Sequence, residues 1–257
     1  MNASTMPAAR LDFDLPAALE AGEPPEARGL TRDAVRMLVA DGRDGSLTHT
    51  TFTFLPAFLD PGDLVVVNTS ATIPAAVPAL GDDGTVVVLH LSTQLDDGRW
   101  VVEPRRPDGH TTARWKGEPL PRTLHLGEDP RASATLVEPY GDATRLWVAQ
   151  LDLPLPVLRW LALHGRPIRY GYVDRSWPIS AYQNVYATEP GSAEMPSAGR
   201  PFTAEIITRL VAKGIGVTPV VLHTGVASLE ADELPYPERV RVPAVSADRV
   251  NATRAAG

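Results

Sequence analysis

"TAEIITRLVAKGIGVTPVVLH", residues 203–223, reads as a helix, a stop and a strand in direct succession. Thr203 is a good N-cap, Glu205 falls in the first turn, and Ile206, Ile207, Leu210 and Val211 recur at helical spacing. Gly214 ends the helix, and Lys213 suits the negative end of its dipole. The strand that follows, 216–223, stops at His223. Because "GIG" (214–216) follows a helix instead of a strand, it is a helix stop and not a dinucleotide loop.

Working outward, "PGDLVVVN" (61–68) is a second strand, whose apolar run 64–67 predicts cover on both faces and which ends at Asn68. Asn68 and His223 are each the first polar residue after an apolar strand. If the two strands run parallel, both side chains face one crevice beyond the carboxyl ends, where ligands bind in such sheets. "VRMLVA" (35–40), the turn "DGRDG" (41–45) and "SLTHTTFTFL" (46–55) read as a hairpin. "PVLRWLALHG" (156–165) predicts a helix with Val157, Leu158, Leu161 and Ala162 on one face and Gly165 at its C-terminal stop. "SADRVNATRAA" (246–256) predicts a last helix beginning at Ser246. Between 78 and 152 the texture changes to short strand-like runs, "TVVVLHLS", "RWVVEP", "RTLHLG", "ASATLVEP" and "TRLWVAQLDL", split by Gly, Asp and Pro. The fold class predicted is an α/β domain with an inserted small antiparallel β-barrel domain. The α/β part is discontinuous, 1–77 plus 153–257, and the insert is 78–152.

Composition narrows the chemistry. The chain has 257 residues, 44% of them hydrophobic, so a sizeable core is available. It has no cysteine, which excludes a disulfide framework, a thiolate metal site and a cysteine nucleophile. No apolar run is long enough to span a bilayer and no signal-peptide pattern opens the chain, so a cytoplasmic protein is expected. HExxH, P-loop and GxSxG motifs are absent, and no metal is expected. Net charge is −7, and nearly all positive charge is arginine, since Lys116 and Lys213 are the lysines. Arg105, Arg106 and Arg114 form one group with Lys116 and Arg122, and Arg166, Arg169 and Arg175 another. Arginine forks suit phosphates, though a solvated arginine-rich surface reads the same way.

"YQNVYATEPGSAEMPSAGRPFT" (182–203) is a long irregular stretch feeding the helix capped by Thr203. Free N–H groups at a helix start suit carboxylate, ribose or phosphate oxygens, and the small Ser197, Ala198 and Gly199 would let a ligand approach the backbone. The alternative is an ordinary long surface loop, although such loops in compact domains are usually functional or disordered.

The same stretch is similar to the signature of the S-adenosylmethionine:tRNA ribosyltransferase-isomerases of queuosine biosynthesis, which read YQTVYA, EPG and PTAGLHFT in this order and spacing. "DFDLP" (12–16), "PGDLVVVN" followed by Ile73-Pro74-Ala75, and "LHTG" (222–225) match family segments in sequence order. The resemblance implies an α/β domain with an inserted antiparallel barrel. It implies transfer and isomerisation of the ribosyl part of S-adenosylmethionine, a co-substrate, onto the aminomethyl group of a 7-deazaguanine at the tRNA wobble position. Glu189 and His223 become candidate proton-transfer groups. Asn68, Ser197, Ala198, Gly199, Phe202, Thr203 and Gly225 become candidate S-adenosylmethionine contacts, with Phe202 against a base. Arg105, Arg106, Arg114, Arg166 and Arg169 become candidate tRNA contacts. A monomer is expected.

Departures are visible too. Pro201 replaces the histidine of TAGLHFT, Ala71 and Ala76 stand where the family's NDTRVIPAR has arginines, and "LPYPERVRVP" (234–243) lacks the family's EHxMHxE histidines. Family members also continue past the segment that ends here at Gly257, so a divergent, C-terminally shortened member is expected. A divergent ribosyl or adenosyl transferase with a small-molecule acceptor, and an inactive binding relative, are the alternatives.

Overall fold

The described chain opens with a 3-10 turn, Pro25–Arg28, followed by a hairpin of β1 (Arg36–Ala40) and β2 (Leu47–Thr51) in antiparallel register. The computed structural model describes residues 14, 16, 19–117, 119–141, 145–226 and 236–257. Most of "DFDLP" and all of 227–235 therefore lie outside the described residues. The hairpin's return strand stops at Thr51, short of the run predicted to 55, because Phe52–Phe58 coils into a 3-10 helix containing Pro56. Proline cannot donate to a ladder, and Phe52 and Leu55 find cover instead against a small core of Phe202, Ile206, Leu210 and Ile215. β3 (Leu64–Asn68) follows, with Val67 buried but Val66 47% exposed, so it is covered on one face and not on both as the apolar run suggested.

A three-residue strand, β4 (Ser70–Thr72), leads into the barrel. Its strands are β5 (Ala76–Gly81), β6 (Val86–Gln94), β7 (Trp100–Asp108), β8 (Thr111–Arg114), β9 (Thr123–Leu126), β10 (Ser133–Pro139) and β11 (Trp147–Asp152). The order β11-β10-β9-β5-β6-β7 closes on itself through β11–β7 pairing, and β8 adds to the far end of β7. Closure leaves no free edge along most of the sheet. The interior is mainly apolar, with Val77, Val87, Leu89, Leu91, Val101, Leu124, Leu126 and Leu136 buried; burial alternates along β9 and the start of β10 but runs unbroken through 89–93 and 100–104. β5 is hidden in the sequence because Pro78 demotes it. The structure places Pro78 beyond the β9 register, which covers Ala79–Gly81, and there its carbonyl accepts from Gly127 N at 2.7 Å.

α1 (Val157–His164) covers one end of the barrel. Its buried face centres on Trp160 and Leu161, while Leu158 and Ala162 are exposed, which corrects the predicted stripe. Trp160 stacks on His164 at 4.6 Å and reaches Gly127, and this large ring sets the rotation of the helix. Gly165 is required by close approach and not by a left-handed backbone: its φ is −84°, and a Cβ would sit 2.0 Å from the Pro74 carbonyl oxygen.

The chain then forms a 3-10 turn at Ile179–Tyr182, β12 (Glu189–Ser192), α2 (Ala204–Ala212), β13 (Gly216–His223), β14 (Arg239–Arg241) and α3 (Ala244–Ala256). β13 runs parallel to β3, pairing Gly216 with Leu64 through Val220 with Asn68, and β14 lies antiparallel on its other side. β12 pairs in parallel with β4. On α2, Ile206 and Leu210 are buried and Val211 is 59% exposed. α3 starts at Ala244, two residues before the predicted Ser246. That serine is instead buried, donating to Pro219 O at 2.6 Å and accepting from Thr218 Oγ1 at 2.9 Å. The architecture is an α/β domain bearing a closed antiparallel barrel.

Candidate functional site

The carboxyl ends of β3 and β13 meet β4 and β12 at one junction. Asn68 holds it together: its Oδ1 accepts from Leu222 N at 2.9 Å and Ser70 N at 3.0 Å, and its Nδ2 donates to Leu222 O at 2.8 Å. The carboxamide thus extends the β3–β13 ladder by one step after the backbone of β3 turns away. Asn68 builds the site with its oxygen doubly occupied and one of its two Nδ2 protons engaged.

Next to it, Ser70 Oγ lies 2.7 Å from His223 Nδ1 and 2.6 Å from Ser192 Oγ, and Ser192 Oγ accepts from Thr224 N at 3.1 Å. The ring of His223 rests directly on β12, where a Cβ on Gly191 would come within 2.4 Å of Nδ1. Burial pushes the His223 imidazole below its usual range, helped by Arg239 and Arg241 and opposed by Glu189. Glu189, half-exposed at the start of β12, receives the Arg241 guanidinium on both carboxylate oxygens. Glu189 and His223 are therefore neighbours. Ser70, Ser192 and Arg241 complete the group, and nothing in their sequence context singles them out.

The remaining candidate contacts fall elsewhere. Residues 189–202 are partly regular, β12 and then a 3-10 turn at Ser197–Gly199. Thr203 Oγ1 accepts from Ile206 N at 3.1 Å and lies 3.5 Å from Asp33 Oδ2, so the start of α2 is capped by its own chain and faces a carboxylate. An anionic ligand is not favoured there. Phe202 is core, edge-on to Phe52 at 5.0 Å and Tyr186 at 5.7 Å, which leaves no face for a base. Gly199 is small for the protein's own sake, since a Cβ would meet Tyr186 Oη at 2.2 Å. Gly225 is likewise packed, with Tyr236 Oη and Ser92 Oγ in the space a Cβ would take. Ala198 is exposed, and Ser197 edges a cavity of about 260 Å³ lined by Tyr170, Tyr172, Trp177 and Tyr182.

The arginines separate in the same way. Arg105 is inside the barrel mouth, bonded to Glu103 at 2.6 Å and Thr112 Oγ1 at 2.8 Å, and Glu103 also meets the buried Arg145 at 3.2 Å. Arg106 lies over Trp115 at 5.4 Å, and Arg114 stands opposite Arg105 in the ladder. Arg166 and Arg169 instead line a cleft of about 430 Å³ between the barrel and residues 166–182, together with His110, Trp177 and Tyr182. Guanidinium groups beside aromatic rings suit a phosphate-bearing, base-stacking ligand. Among the described residues, no cluster of three or more His, Asp or Glu is placed to hold a metal, and no helix is long and apolar enough to cross a membrane.

A barrel-bearing α/β protein with a histidine–serine junction and an arginine- and aromatic-lined cleft is the class defined by fold and site. The chain belongs to the queuosine biosynthesis protein family, whose sequence model matches residues 8–257. It is 32% identical over 225 residues to the S-adenosylmethionine:tRNA ribosyltransferase-isomerase of Thermotoga petrophila, covering 87% of this chain and 61% of that protein. The proteins of the same name from Thermotoga sp. strain RQ2 and Thermotoga maritima match equally well. This chain thus spans about 61% of the length of these curated relatives. The crystal structure of the S-adenosylmethionine tRNA ribosyltransferase of Thermotoga maritima is 27% identical, covering 96% of this chain and 66% of that one, with a TM-score of 0.40.

Proposed function

We propose that this chain transfers and isomerises the ribosyl moiety of S-adenosylmethionine onto the 7-aminomethyl-7-deazaguanine at the tRNA wobble position, as a cytoplasmic monomer. The observation that carries the reading is the 32% identity over 87% of the chain to relatives named for that reaction. The sulfonium of the co-substrate acidifies the neighbouring ribose C5′ hydrogens and supplies the electrophile. Loss of a C5′ proton expels adenine, attack by the amine follows, and closure of the epoxide expels methionine to give epoxyqueuosine. The charge of Glu189 acts on His223, which supports these two as the candidate groups beside the reacting ribose. The cleft of Arg166, Arg169, Trp177 and Tyr182 suits the polynucleotide. With the division into 1–77 plus 153–257 and 78–152, the polynucleotide cleft draws residues from both bodies, and the proton-transfer candidates come from the first alone.

The test is incubation with S-adenosylmethionine and tRNA carrying the aminomethyl deazaguanine, following adenine by chromatography. Adenine release that requires the tRNA is the expected result. Equal release without tRNA would reassign the acceptor to a small molecule, and no release from folded protein would leave a binding relative.

A further inference from the structure

The hydrogen bonds at the junction have a direction, and it determines what His223 can do. A serine hydroxyl carries one proton. Ser192 is fully buried, and its Oγ has two polar neighbours, Thr224 N at 3.1 Å and Ser70 Oγ at 2.6 Å. The Thr224 N–H can only donate, so the Ser192 proton has one place to go, Ser70 Oγ. Ser70 is 1% exposed, and having accepted from Ser192 it directs its own proton to its remaining partner, His223 Nδ1 at 2.7 Å. Nδ1 must then present a lone pair.

The opposite sense is Nδ1–H to Ser70 and Ser70 to Ser192. It would leave the Ser192 proton in a dry site with no acceptor, at a cost of about 1–3 kcal/mol. A two-residue chain therefore weighs the tautomer by a factor of roughly five to a hundred and fifty.

We propose that Ser70, which accepts from Ser192, is a positioning residue that fixes neutral His223 with its ring proton on Nε2, so that at this nitrogen the imidazole is a hydrogen-bond donor and not a base. Nε2 has no hydrogen-bond partner among the described residues, which leaves it free for a ligand. Burial and the flanking Arg239 and Arg241 keep the ring uncharged, against the pull of Glu189. The missing Cβ of Gly191 allows the ring to lie against β12 in the one orientation that meets Ser70. A neutral imidazole N–H stabilises charge that accumulates on a departing group without itself releasing a proton. With the proposed reaction, on which this meaning rests, the donor would face the leaving base or a ribose oxygen. Accepting the carbon-bound proton would then fall to Glu189.

The test reads the tautomer directly and needs no substrate. Two-bond 15N–13C ring spectra of the full chain, labelled at its six histidines and assigned with His223→Gln, are recorded near neutral pH. The expected wild-type pattern places Nε2 in the protonated-nitrogen region and Nδ1 in the bare-nitrogen region. Ser70→Ala removes the hydroxyl that donates to Nδ1 and should move both resonances toward intermediate values, whereas Ser192→Ala leaves Nδ1 as the acceptor for the buried Ser70 proton and should keep the wild-type pattern. A wild-type ring protonated on Nδ1 would overturn the proposal, as would spectra that Ser70→Ala leaves unchanged. If Ser70→Ala fails to fold, the wild-type spectrum alone decides. A protein that shows the Nε2–H tautomer but releases no adenine would count against the proposed reaction and not against the hydrogen-bond chain.

Discussion

His90 is 4% exposed in the barrel mouth, opposite Glu103 across the β6–β7 ladder, and burial together with Arg105 lowers its pKa to about 3. In the unfolded chain a histidine takes up its proton near 6.5. Between those values the unfolded state binds more protons, so the contribution of His90 is intact above about pH 6.5 and is lost as the pH falls towards 3. The slope is about 1.4 kcal/mol per pH unit from this one group. Urea titrations across that range should show His90→Gln with a flatter acid loss than wild type by roughly one proton; parallel curves would mean that His90 is not buried neutral. The same scale shows what a sequence can and cannot reveal. Asn68 and His223 are visible as polar ends of apolar strands, and each bonds to Ser70, Asn68 at its backbone and His223 at its hydroxyl. Ser70 and Ser192 are not visible, because a hydroxyl gains its role from a partner 122 residues away. Thr203 and Phe202 look like ligand contacts in sequence but are an N-cap and a core ring, uses that share the same residue types.

At the level of elements, the helix ends offer a graded comparison. Thr203→Ala removes the cap of α2 and should cost about 1 kcal/mol. Gly165→Ala should cost more, at the upper end of about 1–3 kcal/mol for overpacking. Its Cβ would press on the Pro74 carbonyl, and the backbone there is tied by the paired Ala76–Arg166 bonds of 2.9 Å. Chemical denaturation of both variants checks the order, and a Gly165→Ala protein as stable as wild type would refute the close-approach account. Elements with a clean period are legible: α2, β13, β3 and most barrel strands. β5 is hidden by Pro78, the end of the hairpin by the aromatic 3-10 turn at Phe52–Phe58, and the buried face of α1 by Trp160, whose size overrides the aliphatic spacing.

Across the whole molecule, a net charge of −7 leaves polynucleotide binding to local arginines. Changing Arg166 and Arg169 to glutamate should weaken tRNA binding while S-adenosylmethionine binding persists. The dependence of log affinity on log salt should fall by about one for each phosphate that is no longer neutralised. Reversal at Arg105 should appear mainly as reduced stability, since it sets a second carboxylate beside the buried Glu103 and leaves Arg145 to offset both. Filter binding over a salt series distinguishes the two, and an unchanged salt slope in the cleft variant would remove the cleft from the interface. The barrel and the junction differ also in how they come to exist. Barrel strands pair largely with their sequence neighbours, β5 with β6, β6 with β7 and β10 with β11. The junction is stitched by bonds that span 122, 153 and 154 residues. Closing such long loops costs entropy before any favourable pairing offsets it, so the barrel is favoured to form early and the junction late. The histidine–serine cluster then comes into being as the final act of folding, and a chain that has completed its barrel still lacks the groups on which the proposed reaction depends.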